Sequence, residues 1–170
     1  MRSPQDLVQM IIGDYLQPGD LAIDASVKAG DITRFLAARV GDEGHVIGFS
    51  AEKDEIDSAA TSLFLSGLNA RVEFIHRDFS AIPMYLNPTE PVGIIMAQTD
   101  ADTDFEALTN TMRTALLALK KNGLLVVISY QPAALIELKD LASQLPADSY
   151  DAQIYQSLQS QETTLIMQRL

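Results

Sequence analysis

The stretch 21-LAIDASVKAGDITRFLAARV-40 decides the fold. Its first five residues, Leu21 to Ala25, are apolar apart from Asp24 and end at a run of small and polar residues, as a buried strand ends at a turn. From Asp31 onward the spacing of Phe35, Leu36 and Val40 predicts a helix with one core face. A strand that turns directly into a helix is the repeating unit of a parallel sheet. The turn between them, residues 26 to 30, contains one glycine, Gly30.

The same alternation extends in both directions. Upstream, Ser3-Pro4-Gln5-Asp6 reads as a capped helix start, followed by Leu7, Met10, Ile11 and Tyr15 on one apolar face. Pro18-Gly19-Asp20 is a turn. Downstream, His45 to Phe49 forms a second strand, and residues 54 to 66 a helix carrying Ile56, Ala59, Ala60, Leu63 and Phe64. Val72 to Ile75 is a third strand, with a helical or irregular piece at 79 to 86. The run 92-VGIIM-96 is the fourth. A capping box at Thr103 to Glu106 opens a helix with Phe105, Leu108, Met112, Ala115, Leu116 and Leu119 on one face. Asn122-Gly123 turns into 124-LLVVIS-129, the most apolar strand and so a central one. A helix at 133 to 145 and two strands, about 150 to 157 and 162 to 169, complete the chain, and the link 158-LQSQ-161 is short enough for a hairpin.

This order predicts one α/β domain over residues 1–170, a three-layer doubly wound Rossmann-like arrangement with helices on both faces of a mostly parallel sheet. No repeat or linker interrupts it. The 170 residues, 47% of them hydrophobic, suffice for a substantial core. Without cysteine there is no disulfide or thiolate metal site, which suits a reducing cytoplasm. The start MRSPQDLVQM lacks a signal-peptide pattern, and no apolar run reaches the roughly 20 residues that span a bilayer, so a cytoplasmic protein with no membrane partner is expected. Twelve Lys and Arg against 23 Asp and Glu give a net charge of −11, which argues against broad nucleic-acid binding.

The element order, the terminal hairpin and the segments 23-IDASVKAGDITRFLA-37 and 43-EGHVIGFS-50 together resemble the class I methyltransferases that use S-adenosylmethionine, and more narrowly the small bacterial rRNA methylase family. The resemblance covers nearly the whole chain. It implies a seven-stranded sheet of order 3-2-1-4-5-7-6 with strand 7 antiparallel, and S-adenosyl-L-methionine as cofactor. It further implies that Asp24, Ser26 and Gly30 hold the methionine side, that Ser50 meets the ribose, and that Asp78 and Phe79 of 76-HRDFS-80 recognise adenine. Thr99, Asp100 and Tyr130 fall on the acceptor side.

Four places depart from the family pattern. Lys28 stands where a glycine is usual, and Ser50 where an acidic residue holds the ribose hydroxyls. Met96, Ala97 and Gln98 occupy the places of an Asn and a glycine-rich loop, and Gln131 that of a histidine. The first two imply weakened or lost cofactor binding. No residue presents itself as a catalytic base. Asp100, Asp102 and Asp104 have a calcium-like spacing without the rest of a calcium loop and read as an acidic helix start, so no metal is expected. Two functions stay open: a methyltransferase with an unidentified acceptor, RNA by family resemblance alone, and a catalytically inactive scaffold that binds a protein partner or forms a homodimer. A dinucleotide-dependent oxidoreductase is disfavoured because the glycine fingerprint is missing.

Overall fold

The computed structural model describes residues 3–170. Ser3 caps the first helix, α1 (Pro4–Tyr15), its hydroxyl accepting from the Asp6 N–H at 3.1 Å while the Asp6 carboxylate accepts from the Ser3 N–H at 3.1 Å. Such a cap is worth about 1 kcal/mol. The chain then runs β1 (Leu21–Asp24), α2 (Asp31–Val40), β2 (His45–Phe49), α3 (Lys53–Leu65), β3 (Val72–Ile75), β4 (Val92–Gln98), α4 (Phe105–Leu116), β5 (Leu119–Ser129), α5 (Ile136–Gln144), β6 (Tyr150–Gln156) and β7 (Thr163–Arg169). Three short 3-10 segments, Asn69–Arg71, Phe79–Tyr85 and Pro132–Leu135, fill connections.

The seven strands form one sheet of order β3-β2-β1-β4-β5-β7-β6. Pairing is parallel from β3 through β5, and β7 lies antiparallel between β5 and β6, as the sequence predicts. Successive residues of the central strands serve opposite faces. Ile23, Ile95, Ala97, Leu125 and Val127 join α4 and α5 in one core, whereas Ala22, Ile94, Met96, Val126 and Ile128 join α1, α2 and α3 in the other. Burial on both sides is why these strands read as continuous apolar runs.

Several local expectations are corrected. In α1 the buried residues are Val8 and Ile12, while Met10 is 46% and Tyr15 37% exposed. The helix carries apolar residues on adjoining faces, and periodicity alone does not choose between them. In α3, Ala59 and Leu63 are buried but Phe64 is 69% exposed. The cap of α4 is Asp104, which accepts from the Ala107 N–H at 3.0 Å; Thr103 is not the cap, and its hydroxyl accepts from the Asp100 N–H at 3.0 Å instead. Leu119 is not helical. It opens β5 opposite Val92, and Asn122-Gly123 is a left-handed kink inside that strand (Asn122 φ 65°) rather than a turn before it. The final helix is shorter than expected, a 3-10 turn leading into α5.

Gly30 is the N-cap of α2 with φ 93°, a left-handed conformation. A Cβ there would stand 2.9 Å from the Ala59 Cβ, so the glycine also admits α3 against the turn. Gly30→Ala is expected to lower the unfolding free energy by about 1–3 kcal/mol. Ala59→Gly in the same chain should restore only the steric part. Urea unfolding of the two variants checks this, and an unchanged midpoint for Gly30→Ala would contradict it.

Candidate functional site

The β1–α2 turn is built around a buried carboxylate. Asp24 ends β1 and is 1% exposed. One of its oxygens accepts from the Ser26 N–H at 3.0 Å, and the other from the Thr33 hydroxyl of α2 at 2.7 Å. The turn is then tied to both neighbouring strands. Val27 donates its N–H to the Phe49 carbonyl at 3.0 Å on the β2 side, and Ala25 donates to the Met96 carbonyl at 2.8 Å on the β4 side. The Ser26 hydroxyl accepts from the Gln98 N–H at 2.6 Å. These ties let a turn with a single glycine hold its shape.

Beside this turn, at the carboxyl ends of β1, β2 and β4, opens a cleft of about 540 Å³. Strand order reverses here, with β2 on one side of β1 and β4 on the other, which is where open α/β sheets take ligands. Of the six residues the sequence singled out, Ser26, Ser50, Asp78 and Phe79 line the cleft. Asp24 and Gly30 lie behind its wall, one bracing the turn and the other fitting it to α3.

At the end of β2 the Ser50 hydroxyl donates to Glu55 Oε1 at 2.8 Å and accepts from the Glu52 N–H at 3.0 Å. The strand end that lacks its own carboxylate thus holds one from the first turn of α3, and Glu55 faces the cleft with its second oxygen without a hydrogen bond from any described residue. Sequence reasoning passed over Glu55. The only signal was an acid in the first helical turn, which helix electrostatics explains equally well. After β3, Asp78 caps the following 3-10 segment by accepting from the Ser80 N–H at 2.9 Å, and half-buried Phe79 packs against the core beside it. His76 bonds the Ala51 carbonyl at 3.0 Å and ties β3 to the end of β2.

Lys28 crosses the mouth of the cleft. Its ammonium meets Asp100 at 2.7 Å, joining the β1–α2 turn to the β4–α4 loop. The Lys28 hydrogen bond holds the Asp100 carboxyl below the usual carboxylate range, against a smaller opposing effect of burial. Beyond this pair, Lys28, Thr99, Asp100 and Tyr130 line a smaller cavity of about 290 Å³, so the acceptor-side residues named from sequence come together. Met96 does not fill the cleft, since its side chain belongs to the core on the α1–α2 side. Among the described residues the cleft carries six carboxylates, Glu52, Glu55, Asp78, Asp100, Asp102 and Asp104, and one cation, Lys28. Among the described residues no three His, Cys, Asp or Glu side chains gather as a metal site, and no helix is long and apolar enough to cross a membrane.

The model of the methyltransferase domain family matches residues 18–169, and the chain belongs to that family. Solved structures agree on the fold. A candidate rRNA methylase from Clostridium thermocellum superposes with a TM-score of 0.91 at 19% identity, covering 100% of this chain and 99% of that one. A candidate methyltransferase from Streptococcus mutans, solved with S-adenosylhomocysteine (SAH), gives 0.88 at 16% identity over 100% and 99% of the two chains. An rRNA methylase from Streptococcus thermophilus gives 0.87 at 16% identity over 100% and 98%.

Burial pushes the Asp24 carboxyl up to about 6, against the opposing effects of the Thr33 and Ser26 hydrogen bonds and the Lys28 charge. The folded state therefore binds this proton more tightly than the unfolded chain. The resulting stabilisation is full at low pH and is lost as pH rises from the ordinary value of 3.8 to about 6. It amounts to roughly 3 kcal/mol. Asp24→Asn removes the titration, so the unfolding free energy of the wild type minus that of the variant should fall by up to this amount between pH 4 and pH 7. Urea unfolding across that range tests it; parallel pH profiles would contradict it.

Proposed function

We propose that this chain is a methyltransferase that binds S-adenosylmethionine in the cleft beside the β1–α2 turn. The observation that carries the reading is the lining of that cleft. Despite Lys28 and Ser50, it is open and brings together a hydroxyl at the turn, a carboxylate at the end of β2, and a carboxylate and an aromatic ring after β3. These suit the parts of the cofactor in turn. Phe79 offers a ring face to adenine, and the Asp78 oxygen that Ser80 leaves open accepts from the exocyclic amine. Glu55, steered by Ser50, accepts from the ribose hydroxyls. Ser26 and Lys28 adjoin the amino-acid end, where the ammonium suits a carboxylate.

Bound there, the cofactor would supply an electrophilic methyl group on a sulfonium. The protein's part is to align the acceptor with it and keep competing water out. Among the described residues no strong base stands at the acceptor side. Asp100 is neutralised by Lys28, and Gln131 cannot take a proton at neutral pH. An acceptor whose proton leaves readily to solvent fits this arrangement.

The excess of carboxylates in the cleft and the charge of −11 oppose a polyanion. They support a small or protein-presented acceptor over unaided RNA, for which kinship is the argument. The inactive-scaffold alternative rests on Lys28, Ser50, Met96 and Gln131, and a closed pocket would have Lys28 or Met96 inside it. Lys28 instead sits at the mouth, and Met96 is turned into the opposite core.

Calorimetric titration with SAH tests the reading. Saturable one-site binding is expected, and Phe79→Ala should weaken it about 5- to 150-fold, the range of base–aromatic stacking. The absence of saturable binding by the unmodified protein would overturn the proposal.

A further inference from the structure

A second, smaller cavity of about 200 Å³ lies between α1, α2 and the carboxyl ends of β4 and β5. Val8 of α1, Ile32 and Phe35 of α2, Met96 of β4 and Ile128 of β5 give it one apolar side, and Gln5, Gln9, Asp31 and Gln98 line it with polar groups. Gln98 lines this cavity, the donor cleft and the cavity beside Tyr130, and so stands where all three approach one another.

Two facts about Gln98 matter. Its backbone is fixed, because its N–H donates to the Ser26 hydroxyl at 2.6 Å. Its side chain is not engaged: among the described residues the half-buried carboxamide has no hydrogen-bond partner. A carboxamide both donates and accepts. It is reached by solvent where the cavity opens, so a ligand hydroxyl there would take the place of water. The rim is itself anchored, since Gln5 donates to the Tyr130 hydroxyl at 3.1 Å and ties α1 to the end of β5.

Size and polarity narrow the ligand. An apolar cavity of about 150 Å³ is enough to admit benzene, and this one is somewhat larger. An anion is disfavoured by Asp31 in the lining, and the apolar side formed by Val8, Ile32, Phe35, Met96 and Ile128 suits a ring. One hydroxyl on a single ring can both donate to the Gln98 oxygen and accept from its nitrogen.

We propose that this cavity is the acceptor pocket, that it takes a small, single-ring apolar molecule bearing one hydroxyl, and that Gln98 positions the hydroxyl at the donor cleft. The inference rests on the methyltransferase reading above. In the transfer, an oxygen lone pair forms the new C–O bond as the C–S bond breaks and its electron pair returns to sulfur. The hydroxyl proton leaves to water at the open cleft.

The test uses p-cresol and toluene as probes of the full-length protein saturated with SAH, followed by ligand-observed NMR. Saturable p-cresol binding is expected, with toluene at least about fivefold weaker, as one well-made hydrogen bond implies. Gln98→Leu should bring p-cresol down to the level of toluene while toluene stays within about twofold. Ile32→Phe, which fills the cavity, should abolish both, and Val8→Phe serves if that variant fails to fold; SAH binding is the check on folding. If SAH does not bind the wild type, the methyltransferase reading itself fails. If SAH binds but p-cresol does not saturate, or is indifferent to Gln98→Leu and to cavity filling, the pocket assignment is overturned. Displacement of p-cresol by uridine at lower concentration than by p-cresol itself would overturn the ligand class in favour of a nucleoside.

Discussion

The buried carboxylate of Asp24 is the constraint on which the site depends. It sits at the last position of β1, where the chain must leave the sheet, reverse and enter α2. Its two oxygens hold the Ser26 backbone N–H and the Thr33 hydroxyl, so strand end, turn and helix move as one unit. Ser26 extends the unit to β4 through Gln98, and Val27 extends it to β2 through Phe49. The cleft exists because these ties hold the turn to both neighbouring strands while leaving open the space beyond their carboxyl ends. A glycine-rich turn reaches a similar shape through backbone freedom; here side-chain hydrogen bonds supply much of it.

Charge gives the site its second character. Lys28 and Asp100 neutralise one another at the mouth, which leaves the other five acidic side chains to set the field inside. That field favours a cationic sulfonium donor over its neutral thioether product and disfavours phosphate-rich acceptors. The Lys28–Asp100 pair is partly exposed, so its contribution to stability is small, on the order of 1 kcal/mol or less. Its consequence is positional. It stands between the cleft at the β1–α2 turn and the cavity lined by Tyr130, and on the proposed reading it would define, with Gln98, where an acceptor approaches.

The strand–helix alternation and the closing hairpin were legible in the sequence because parallel strands buried on both faces leave continuous apolar runs and a two-strand hairpin leaves a short polar link. Which face of a helix is buried was less legible. In α1 two apolar stripes adjoin, and only tertiary packing selects Val8 and Ile12 over Met10 and Tyr15. The boundary at Leu119 was hidden because a leucine suits a helix end and a strand start alike, and because the Asn122-Gly123 kink imitates a turn. At the cleft, Ser26, Ser50, Asp78 and Phe79 could be placed through the family resemblance, which attaches roles to positions after the strand ends. Glu55 could not, since its approach to Ser50 depends on how α3 packs, and nothing in the sequence marks the carboxamide of Gln98 as free of partners.

The most direct measurement is backbone hydrogen–deuterium exchange of the wild-type protein with and without SAH. Slowed exchange confined to residues 26–28, 50–55, 78–80 and 97–100 is expected, with the outer side of α1 and the β6–β7 edge unchanged. Protection at α1 and β6 instead, or no protection at saturating SAH, would contradict a donor site at the β1–α2 turn.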